Sequence, residues 1–277
     1  HCTDNLIKHS IGRVFVGCLD PNPLVAGKGV QILRNAGIEV ETGVCEAECR
    51  ERNEVFFHYI TQKTPFVVLK YAMTLDGKIA AHTGDSRWVT GEAARRHVHE
   101  TRNRLTGIMV GAGTVIADDP LLTCRIEGGR NPVRIVCDSH ARIPADCKLV
   151  QTAREIPTYV AVVEENERTA YLEENGVHIL VCGEKNGRVD LTDLMQQLGA
   201  LGVNGILLEG GSALAFSALR EGIVHRVQAY VAPKLIGGAD AKTPVGGAGF
   251  DRMADALTLK NVRCTPLGED ILIEGRL

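Results

Sequence analysis

Residues 66–90 read FVVLKYAMTLDGKIAAHTGDSRWVT, and this stretch sets the architecture expected for the rest of the chain. Residues 66–69 form a short apolar run rich in β-branched side chains, which predicts a buried strand. Lys70 follows directly, and open α/β sheets carry their ligand chemistry at the carboxyl ends of strands. Beyond a polar loop stands Trp88, the only tryptophan of the chain. Composition favours a core anchor for Trp88 over a flat wall against a planar ligand.

The composition describes an ordinary globular chain. Its 277 residues, 44% of them hydrophobic, suffice for one large domain or two ordinary ones. A net charge of −3 and an aromatic content of 4% argue against a nucleic-acid surface or a base-stacking platform. The nine cysteines are scattered without a CxxC pair, so we expect a reducing compartment, the cytoplasm. No apolar run approaches the ~20 residues that span a bilayer.

The chain divides into a short first piece and a longer alternating segment. Residues 1–63 hold too little material for a good independent core and are interpreted as part of an α/β domain. After a boundary at 62–65, strands and helices alternate, which predicts a largely parallel sheet with helices on both faces. Late strands at 226–231 and 271–274 are expected to run antiparallel at the sheet edge. The expected fold class is therefore α/β with a mainly parallel sheet.

Three local features are predicted inside the first piece. The segment DPNP at 20–23 is a tight turn, because proline fixes φ while Asp and Asn side chains cap the backbone. Residues 45–61 predict one long amphipathic helix. Cys2 is the one candidate metal ligand with any context, but a zinc site needs at least three protein ligands, and no partner lies near it in sequence.

Polar or glycine-rich loops follow four of the predicted strands, at Lys70, Gly111, Asp138 and Glu209. Because parallel strands end at one edge of a sheet, we expect one cleft with a nucleotide on one side and a polar substrate on the other. The segment EGGS at 209–212 opens a helix after an apolar strand, which is typical of a phosphate site. Paired glycines also occur there merely to form the turn, so this motif alone decides little.

Charged residues flank the second of these loops. The segment DDP at 118–120 is a helix cap or turn, or else supplies a carboxylate to a sugar hydroxyl. Arg102, Arg104 and Arg125 lie on either side of the loop. Arginine suits bidentate phosphate contact, although an arginine on a helix often only faces solvent.

Six segments, in order, resemble the reductase domain of the bifunctional riboflavin-biosynthesis deaminase/reductase family: LKYAMTLDGKIA (69–80), TGDSRWVTGEAAR (83–95), VGAGTVIADDPLLTCR (110–125), NPVRIVCDS (131–139), ILLEGGSAL (206–214) and YVAPKLIGG (230–238). The resemblance covers essentially all of 64–277. Residues 1–63 resemble the second half of the same family's zinc deaminase domain, chiefly through residues 2–40. The resemblance thus implies an incomplete deaminase piece, 1–63, followed by a reductase domain, 64–277.

The resemblance implies a fold similar to that of dihydrofolate reductase. It also implies that NADPH reduces the ribosyl group of 5-amino-6-(5-phosphoribosylamino)uracil to the ribityl form. By motif, the NADPH contacts are Ala72, Trp88, Thr114, Asp118, Ser139, Gly211, Ser212, Ala213, Leu214, Ala215, Phe216 and Ser217. The substrate contacts are Ser86, Arg102, Leu122, Arg125 and Glu209, and the catalytic residues are Lys70, Asp118 and Glu209. Trp88 thereby changes from an expected core anchor to an expected cofactor wall.

The resemblance is incomplete at the amino terminus. The family's deaminase needs a zinc-binding His, a catalytic Glu two residues later and two Cys. Cys2 resembles the last zinc ligand, and the other groups are absent from the printed residues, so we expect no deaminase activity from this chain. Zinc is expected only in a complete deaminase domain. The family also leads us to expect a homodimer.

Two hypotheses follow for the reaction, which we expect to be hydride transfer to the ribose C1 carbon after ring opening. Lys70 and Asp118 lie near the ribose, and one of them orders or protonates the opened sugar. Arg102 and Arg125 hold the substrate phosphate. Two other interpretations stay open, a nucleotide-binding module without turnover and a reductase of another pterin or pyrimidine.

Overall fold

The computed structural model describes residues 2–22 and 25–277, and the residues up to Thr64 form a unit of their own. Strands β1 (Arg13–Val16) and β2 (Glu39–Thr42) pair in parallel. The helices are α1 (Cys2–Lys8), α2 (Lys28–Asn35), α3 (Glu46–Arg52) and α4 (Glu54–Gln62). Its core is small, with Leu33, Ile38 and Val40 buried together.

The single long helix expected over 45–61 is wrong, because the chain forms two helices that meet at Asn53. The backbone of Asn53, with φ −104° and ψ 14°, leaves the helical region. Its side-chain amide donates to the carbonyl of Cys49 at 2.8 Å. Asparagine competes in this way for backbone groups, which is why it favours helix ends over helix interiors.

The predicted turn at 20–23 is described only in part. The backbone N–H of Asn22 donates to Oδ1 of Asp20 at 2.8 Å, as expected of an Asp that caps a turn. Pro23 lies outside the described residues.

The residues from Pro65 onward form the second unit, which is built on a nine-stranded sheet. In chain order its strands are β3 (Phe66–Thr74), β4 (Gly107–Gly111), β5 (Val133–Cys137), β6 (Thr158–Val162), β7 (His178–Val181), β10 (Gly205–Glu209), β11 (Arg226–Ala232), β12 (Lys260–Leu267) and β13 (Asp270–Arg276). A separate hairpin consists of β8 (Glu184–Lys185) and β9 (Arg188–Val189). The helices are α5 (Glu92–Arg104), α6 (Ala112–Asp118), α7 (Lys148–Gln151), α8 (Glu167–Glu174), α9 (Leu191–Ala200) and α10 (Ser212–Arg220), with a 3₁₀ turn at Met253–Asp255.

The strand order is β12-β13-β11-β3-β10-β4-β5-β6-β7. Every neighbouring pair from β11 to β7 is parallel, while β13 and β12 continue the sheet antiparallel at one edge. The expected α/β class with a mainly parallel sheet is therefore confirmed, as is the antiparallel edge. Short apolar runs with helices between them leave few other arrangements, since parallel strands need crossover helices.

Helices cover both faces of this sheet, because successive strand residues point to opposite sides. Met109 packs on the face that α9 and α10 cover, together with Leu194 and Ala218. Its neighbour Ile108 packs on the other face, beside Leu149 of α7. The central strands, which lie between the two layers of helices, are buried on both faces and therefore carry nearly continuous apolar sequence.

Strand β3 extends past its parallel neighbour, which corrects the predicted position of Lys70. Lys70 lies inside β3 rather than at its end, and it pairs in register with Glu209, the last residue of β10. Beyond that point β3 continues to Thr74 because β11 pairs with it as far as Ala232. The sheet edge is therefore stepped, and Lys70 still lies at the step where β10 ends.

Arg134 on β5 is fully buried. No carboxylate in the described part of the chain lies within 4.0 Å of its guanidinium. It donates instead to the hydroxyls of Thr152 (2.7 Å) and Thr158 (2.9 Å) and to the carbonyl of Ile156 (2.9 Å). Burial lowers the pKa of Arg134 to about 10, so the group stays charged at neutral pH. Arg134 thus ties β5 to the segment that leads into β6.

We predict that Arg134→Met lowers the free energy of unfolding by about 3 kcal/mol, because several buried acceptors lose their donor. Urea denaturation measures the loss. Arg96→Met on α5 is the matched control, since its side chain is 70% exposed and its nearest Glu92 oxygen is 4.0 Å away. Equal losses in the two variants would contradict the structural role of Arg134.

Candidate active site

Two cavities open at the carboxyl edge of the sheet, and Gly211 lines both of them. The larger, of about 700 Å³, lies among the loops after β4 and β5, the β8–β9 hairpin and α10. The smaller, of about 340 Å³, lies among β3, α5, α6 and the turn that precedes α10. Both volumes are in the range of small-molecule sites. The expected edge of the sheet thus holds space for two ligands or for two parts of one ligand.

The turn between β10 and α10 requires glycine. Gly210 and Gly211 have φ values of +80° and +87°, in the left-handed region that disfavours other residues. A Cβ on Gly210 would lie 3.0 Å from Oγ1 of Thr114, so the turn packs directly against α6. No side chain caps the start of α10 at Gly211. The first N–H groups of a nine-residue helix are therefore available to an anion.

Glu209 and Arg102 form a bidentate ion pair in the wall of the smaller cavity. Nε and Nη2 of Arg102 donate to the two carboxylate oxygens of Glu209 at 2.7 and 2.9 Å. The remaining Nη1 donates to the carbonyl of Thr123 at 2.8 Å. Lys70 Nζ lies 4.0 Å from Oε2 of the same glutamate. Because two strands and α5 supply these groups, the side chains hold a fixed constellation.

The charges in this constellation depend on each other. Burial alone would raise the pKa of Glu209, but Arg102 and Lys70 outweigh it and hold that pKa at about 2. Burial lowers the pKa of the Lys70 ammonium, an effect that Glu209 opposes and Arg102 reinforces. Glu209 is therefore ionised at neutral pH, while Lys70 gives up a proton more readily than an exposed lysine.

Trp88 is not a core anchor, so the expectation from composition is wrong. Its side chain is 58% exposed and belongs to the wall of the smaller cavity. The guanidinium carbon of Arg95 lies 4.7 Å from the ring centroid, and the Trp88 carbonyl accepts from Lys234 at 2.7 Å. The polar loop before Trp88 keeps the ring at the surface, where one arginine covers part of it.

The family model for the RibD C-terminal domain matches residues 65–273. The chain belongs to this family. A riboflavin biosynthesis protein RibD from Actinobacillus pleuropneumoniae is 52% identical over 274 residues, which are 99% of this chain and 73% of that protein. A reductase of Methanothermobacter thermautotrophicus, named for 2,5-diamino-6-ribosylamino-4(3H)-pyrimidinone 5′-phosphate, is 45% identical over 215 residues, covering 76% of this chain and 97% of its own.

A solved structure from Thermotoga maritima covers 99% of this chain and 74% of its own, with a TM-score of 0.83 and 34% identity. That protein is described as a diaminohydroxyphosphoribosylaminopyrimidine deaminase/5-amino-6-(5-phosphoribosylamino)uracil reductase. The similarity in fold therefore points to the same family as the sequence match.

The structure gathers the residues that were predicted from the RibD resemblance around the two cavities. The smaller cavity is lined by Lys70, Ala72, Ser86, Trp88, Arg102, Thr114, Asp118, Leu122, Arg125, Glu209, Ser212 and Ala215. The larger cavity is lined by Ser139, Ala213, Leu214, Phe216 and Ser217, with Gly211 shared. The residues predicted to contact the cofactor thus divide between the cavities, whereas those predicted to contact the substrate all face the smaller one.

Asp138 does not join them, although it follows a strand. Its side chain is fully buried, and Oδ2 accepts the backbone N–H of Ile143 at 2.8 Å. The carboxylate closes the loop after β5 instead of facing a ligand. Of the four polar strand ends, this one is structural.

Some residues of the site were not singled out by the sequence. His99 lies in the wall of the smaller cavity, one helical turn before Arg102, and Tyr230 lies below Lys70 with its ring centroid 5.7 Å from Nζ. The i, i+3 spacing of His99 and Arg102 places both on one face of α5, and this spacing could have identified His99 from the sequence. Tyr230 is fully buried on β11, and the sequence marks it only as a strand residue.

Neither a metal-binding cluster nor a membrane-spanning helix is found in the described residues. In residues 2–22 and 25–277, no group of three or more His, Cys, Asp or Glu side chains is placed to hold a metal ion. Cys2, the predicted zinc ligand, is an exposed residue of α1. Over the same residues, no helix has the length and apolar character of a membrane span.

We predict that Glu209→Gln destabilises the protein at pH 7, because the largely enclosed Arg102 loses its counter-charge. The folded-state pKa of Glu209, about 2, lies below the ordinary 4.5. The ionised pair therefore adds stability above pH 4.5 and loses it as the pH falls towards 2. The gap in unfolding free energy between wild type and variant should narrow by on the order of 2 kcal/mol from pH 7 to pH 3. Urea denaturation at both pH values measures it, and a constant gap would argue against the pair.

Proposed function

We propose that this chain uses NADPH to reduce the ribosyl group of 5-amino-6-(5-phosphoribosylamino)uracil to the ribityl form. Membership of the RibD C-terminal domain family makes it an oxidoreductase of riboflavin biosynthesis. The observation that carries the specific proposal is the pair of cavities that share Gly211, one with a free helix terminus and the other with the Lys70–Glu209–Arg102 constellation. The reductase named in Methanothermobacter and the uracil reductase described in Thermotoga support the choice of substrate.

The larger cavity suits a dinucleotide. The start of α10 offers N–H donors to a pyrophosphate, and the glycine pair lets the ligand approach the backbone. The lining of this cavity also includes Arg142, Arg188 and Arg220. Arg142 faces Asp138 at 3.4 Å, while neither Arg188 nor Arg220 has an ion-pair partner within the described residues. These cations favour the extra phosphate of NADPH over NADH.

The smaller cavity suits a phosphorylated sugar. Arg102 is committed to Glu209 and Thr123, so it positions Glu209 and offers few free donors. Arg125 is exposed and has no carboxylate within 4.0 Å among the described residues. The sequence predicted the same role, phosphate binding, for both arginines, whereas we now propose a different role for each. We assign the substrate phosphate to Arg125 and the placement of Glu209 to Arg102.

NADPH, when bound, supplies the hydride. The protein must supply a proton to the opened sugar and hold its C1 carbon in place. Lys70 lies at the step of the sheet with a lowered pKa, which makes it the better proton donor. Asp118 ends α6 in the same cavity wall and is exposed, so it is the group that orders sugar hydroxyls.

Four further features belong to this proposal. Residues 1–63 are part of a zinc deaminase domain with Cys2 as one ligand, supported by a match to the Thermotoga protein over 99% of this chain. A homodimer is supported by edge strand β12, most of which is exposed and open to pairing. The cytoplasm is supported by nine cysteines that are all free. We further propose 64–277 as a reductase domain in its own right.

NADPH oxidation, followed at 340 nm as absorbance loss, tests the function directly. We expect turnover with 5-amino-6-(5-phosphoribosylamino)uracil and none with dihydrofolate. A nucleotide-binding module would bind NADPH without oxidising it, and a reductase of another pterin would prefer the second compound. Either of those results would overturn the proposal.

We predict that Lys70→Met lowers kcat about 100-fold or more at saturating NADPH, because general acid catalysis contributes on this scale. Asp118→Asn should lower kcat less, since an amide still hydrogen-bonds sugar hydroxyls. Steady-state kinetics on both variants measures the effects, with exposed Lys28→Met on α2 as the control. Near-normal turnover in both variants would reject the assignment.

A further inference from the structure

His99 makes contacts with Arg125 that cannot both be hydrogen bonds. Its side chain is nearly buried on α5, in the wall of the smaller cavity. The backbone N–H of Arg125 lies 3.2 Å from Nδ1 of the ring, and the guanidinium Nε of Arg125 lies 3.2 Å from Nε2. A neutral imidazole has only one acceptor nitrogen, so one of the two N–H groups of Arg125 faces another donor.

The ring is neutral at physiological pH. Burial and the neighbouring Arg102 and Arg125 together lower the pKa of His99 to about 4, against the opposing effect of Glu209. The single N–H hydrogen of the neutral His99 ring can lie on Nδ1 or on Nε2. This is decided by the partner that cannot move.

That partner is the backbone N–H of Arg125, because the surrounding segment is anchored on α5. The carbonyl of Thr123 accepts from Arg102 at 2.8 Å, and the thiol of Cys124 donates to the carbonyl of His99 at 3.4 Å. The backbone N–H of Cys124 donates to Asn131 at 3.0 Å. Nδ1 is therefore the acceptor, and the hydrogen is on Nε2. The Nε2–H of His99 and the Nε–H of Arg125 then face each other across 3.2 Å.

Two donors 3.2 Å apart repel each other unless an acceptor lies between or beside them. The guanidinium is exposed and is free to turn, whereas the ring is fixed. An oxyanion accepts from both at once, and the wall of this cavity carries four cationic side chains, Lys70, Arg95, Arg102 and Arg125, against the carboxylates of Asp118 and Glu209. The chemistry that satisfies the arrangement is a doubly charged phosphate monoester.

We propose that His99 is a substrate-binding residue whose Nε2–H and the Arg125 guanidinium together hold the 5′-phosphate of the substrate. This inference rests on the proposed function and adds a residue to it. His99 acts as a neutral donor, so it needs no protonation to bind the anion. Its Nδ1 also accepts the backbone N–H of Arg125, so the same ring contacts both the backbone and the guanidinium of that arginine.

Substitution of His99 separates phosphate binding from packing. His99→Leu retains an apolar body of similar size and loses both nitrogens, so KM for the phosphorylated substrate should rise about tenfold or more. KM for the dephosphorylated analogue and for NADPH should stay within about twofold, with kcat largely retained. His99→Gln, whose amide offers a donor near the position of Nε2, should recover most of the affinity. His178→Leu on β7 is the matched control.

Arg125→Ala provides the second arm. It should raise KM for the phosphorylated substrate more than His99→Leu does, and the double variant should lose less than the two single losses combined, since both groups act on one anion. Equal increases in KM for phosphorylated and dephosphorylated substrates in the His99 variants would overturn the proposal. So would strictly independent losses in the double variant.

The tautomer can be measured without any change to the site. In wild-type protein with ¹⁵N-labelled histidine, the resonances of His99, identified by their loss in His99→Gln, should show a hydrogen on Nε2 and a bare Nδ1. Added inorganic phosphate should shift the Nε2 signal. The opposite tautomer, or no shift at saturating phosphate, would overturn the inference. If wild-type enzyme failed to oxidise NADPH with the uracil substrate, the proposed function would fail instead, which keeps the two results distinct.

Discussion

The ion pair between Glu209 and Arg102 is the interaction on which the smaller cavity depends. It joins the last residue of β10 to α5 and, through Thr123, to the segment that carries Leu122 and Arg125. Without it, two buried charges would be left unpaired between separate elements, at a cost that commonly reaches 3–5 kcal/mol. Because the carboxylate is shared with Lys70, the same pair also fixes the position and the proton affinity of the proposed acid.

The geometry divides the work of the basic residues around this pair. Arg102 is largely enclosed, with 13% of its side chain exposed, and donates three of its N–H groups within the protein, whereas Arg125 is exposed and has free donors. The difference follows from position along the chain, since Arg102 lies on helix α5 opposite Glu209 and Arg125 lies in the segment after α6. Residue type alone describes both side chains equally well, so the division is a property of the fold.

Much of the fold could be predicted from the sequence, because apolar runs and helix-forming segments alternate from Phe66 onward. The antiparallel edge and the meeting of Lys70 with Glu209 at one sheet edge also followed from the pattern. The exceptions have local causes. Asn53 divides a helix by competing for a backbone carbonyl, and Asp138 turns inward to close its own loop.

Other parts of the site were beyond the sequence for a different reason. The extension of β3 past Lys70 depends on β11, which lies more than 150 residues away in the chain. The contact between His99 and Arg125 joins α5 to a residue 26 positions further along the chain, and the turn signal at 118–120 does not indicate which residues meet after it. Trp88 shows the opposite case, since the general tendency of tryptophan to be buried suggested the core, whereas the motif around it suggested the ligand. Rare residues in loops are better judged by their neighbours than by their average behaviour.

The close packing of Gly210 against Thr114 has an evolutionary consequence. The turn before α10 and the first turn of α6 belong to different crossovers, yet the space left for one is set by the size of the other. Because the positive φ of Gly210 confines that position to glycine, the residue at 114 always faces bare backbone, and a side chain larger than threonine there would collide with the turn. A nucleotide loop borrowed from another protein would therefore fit only if the start of α6 were exchanged together with it.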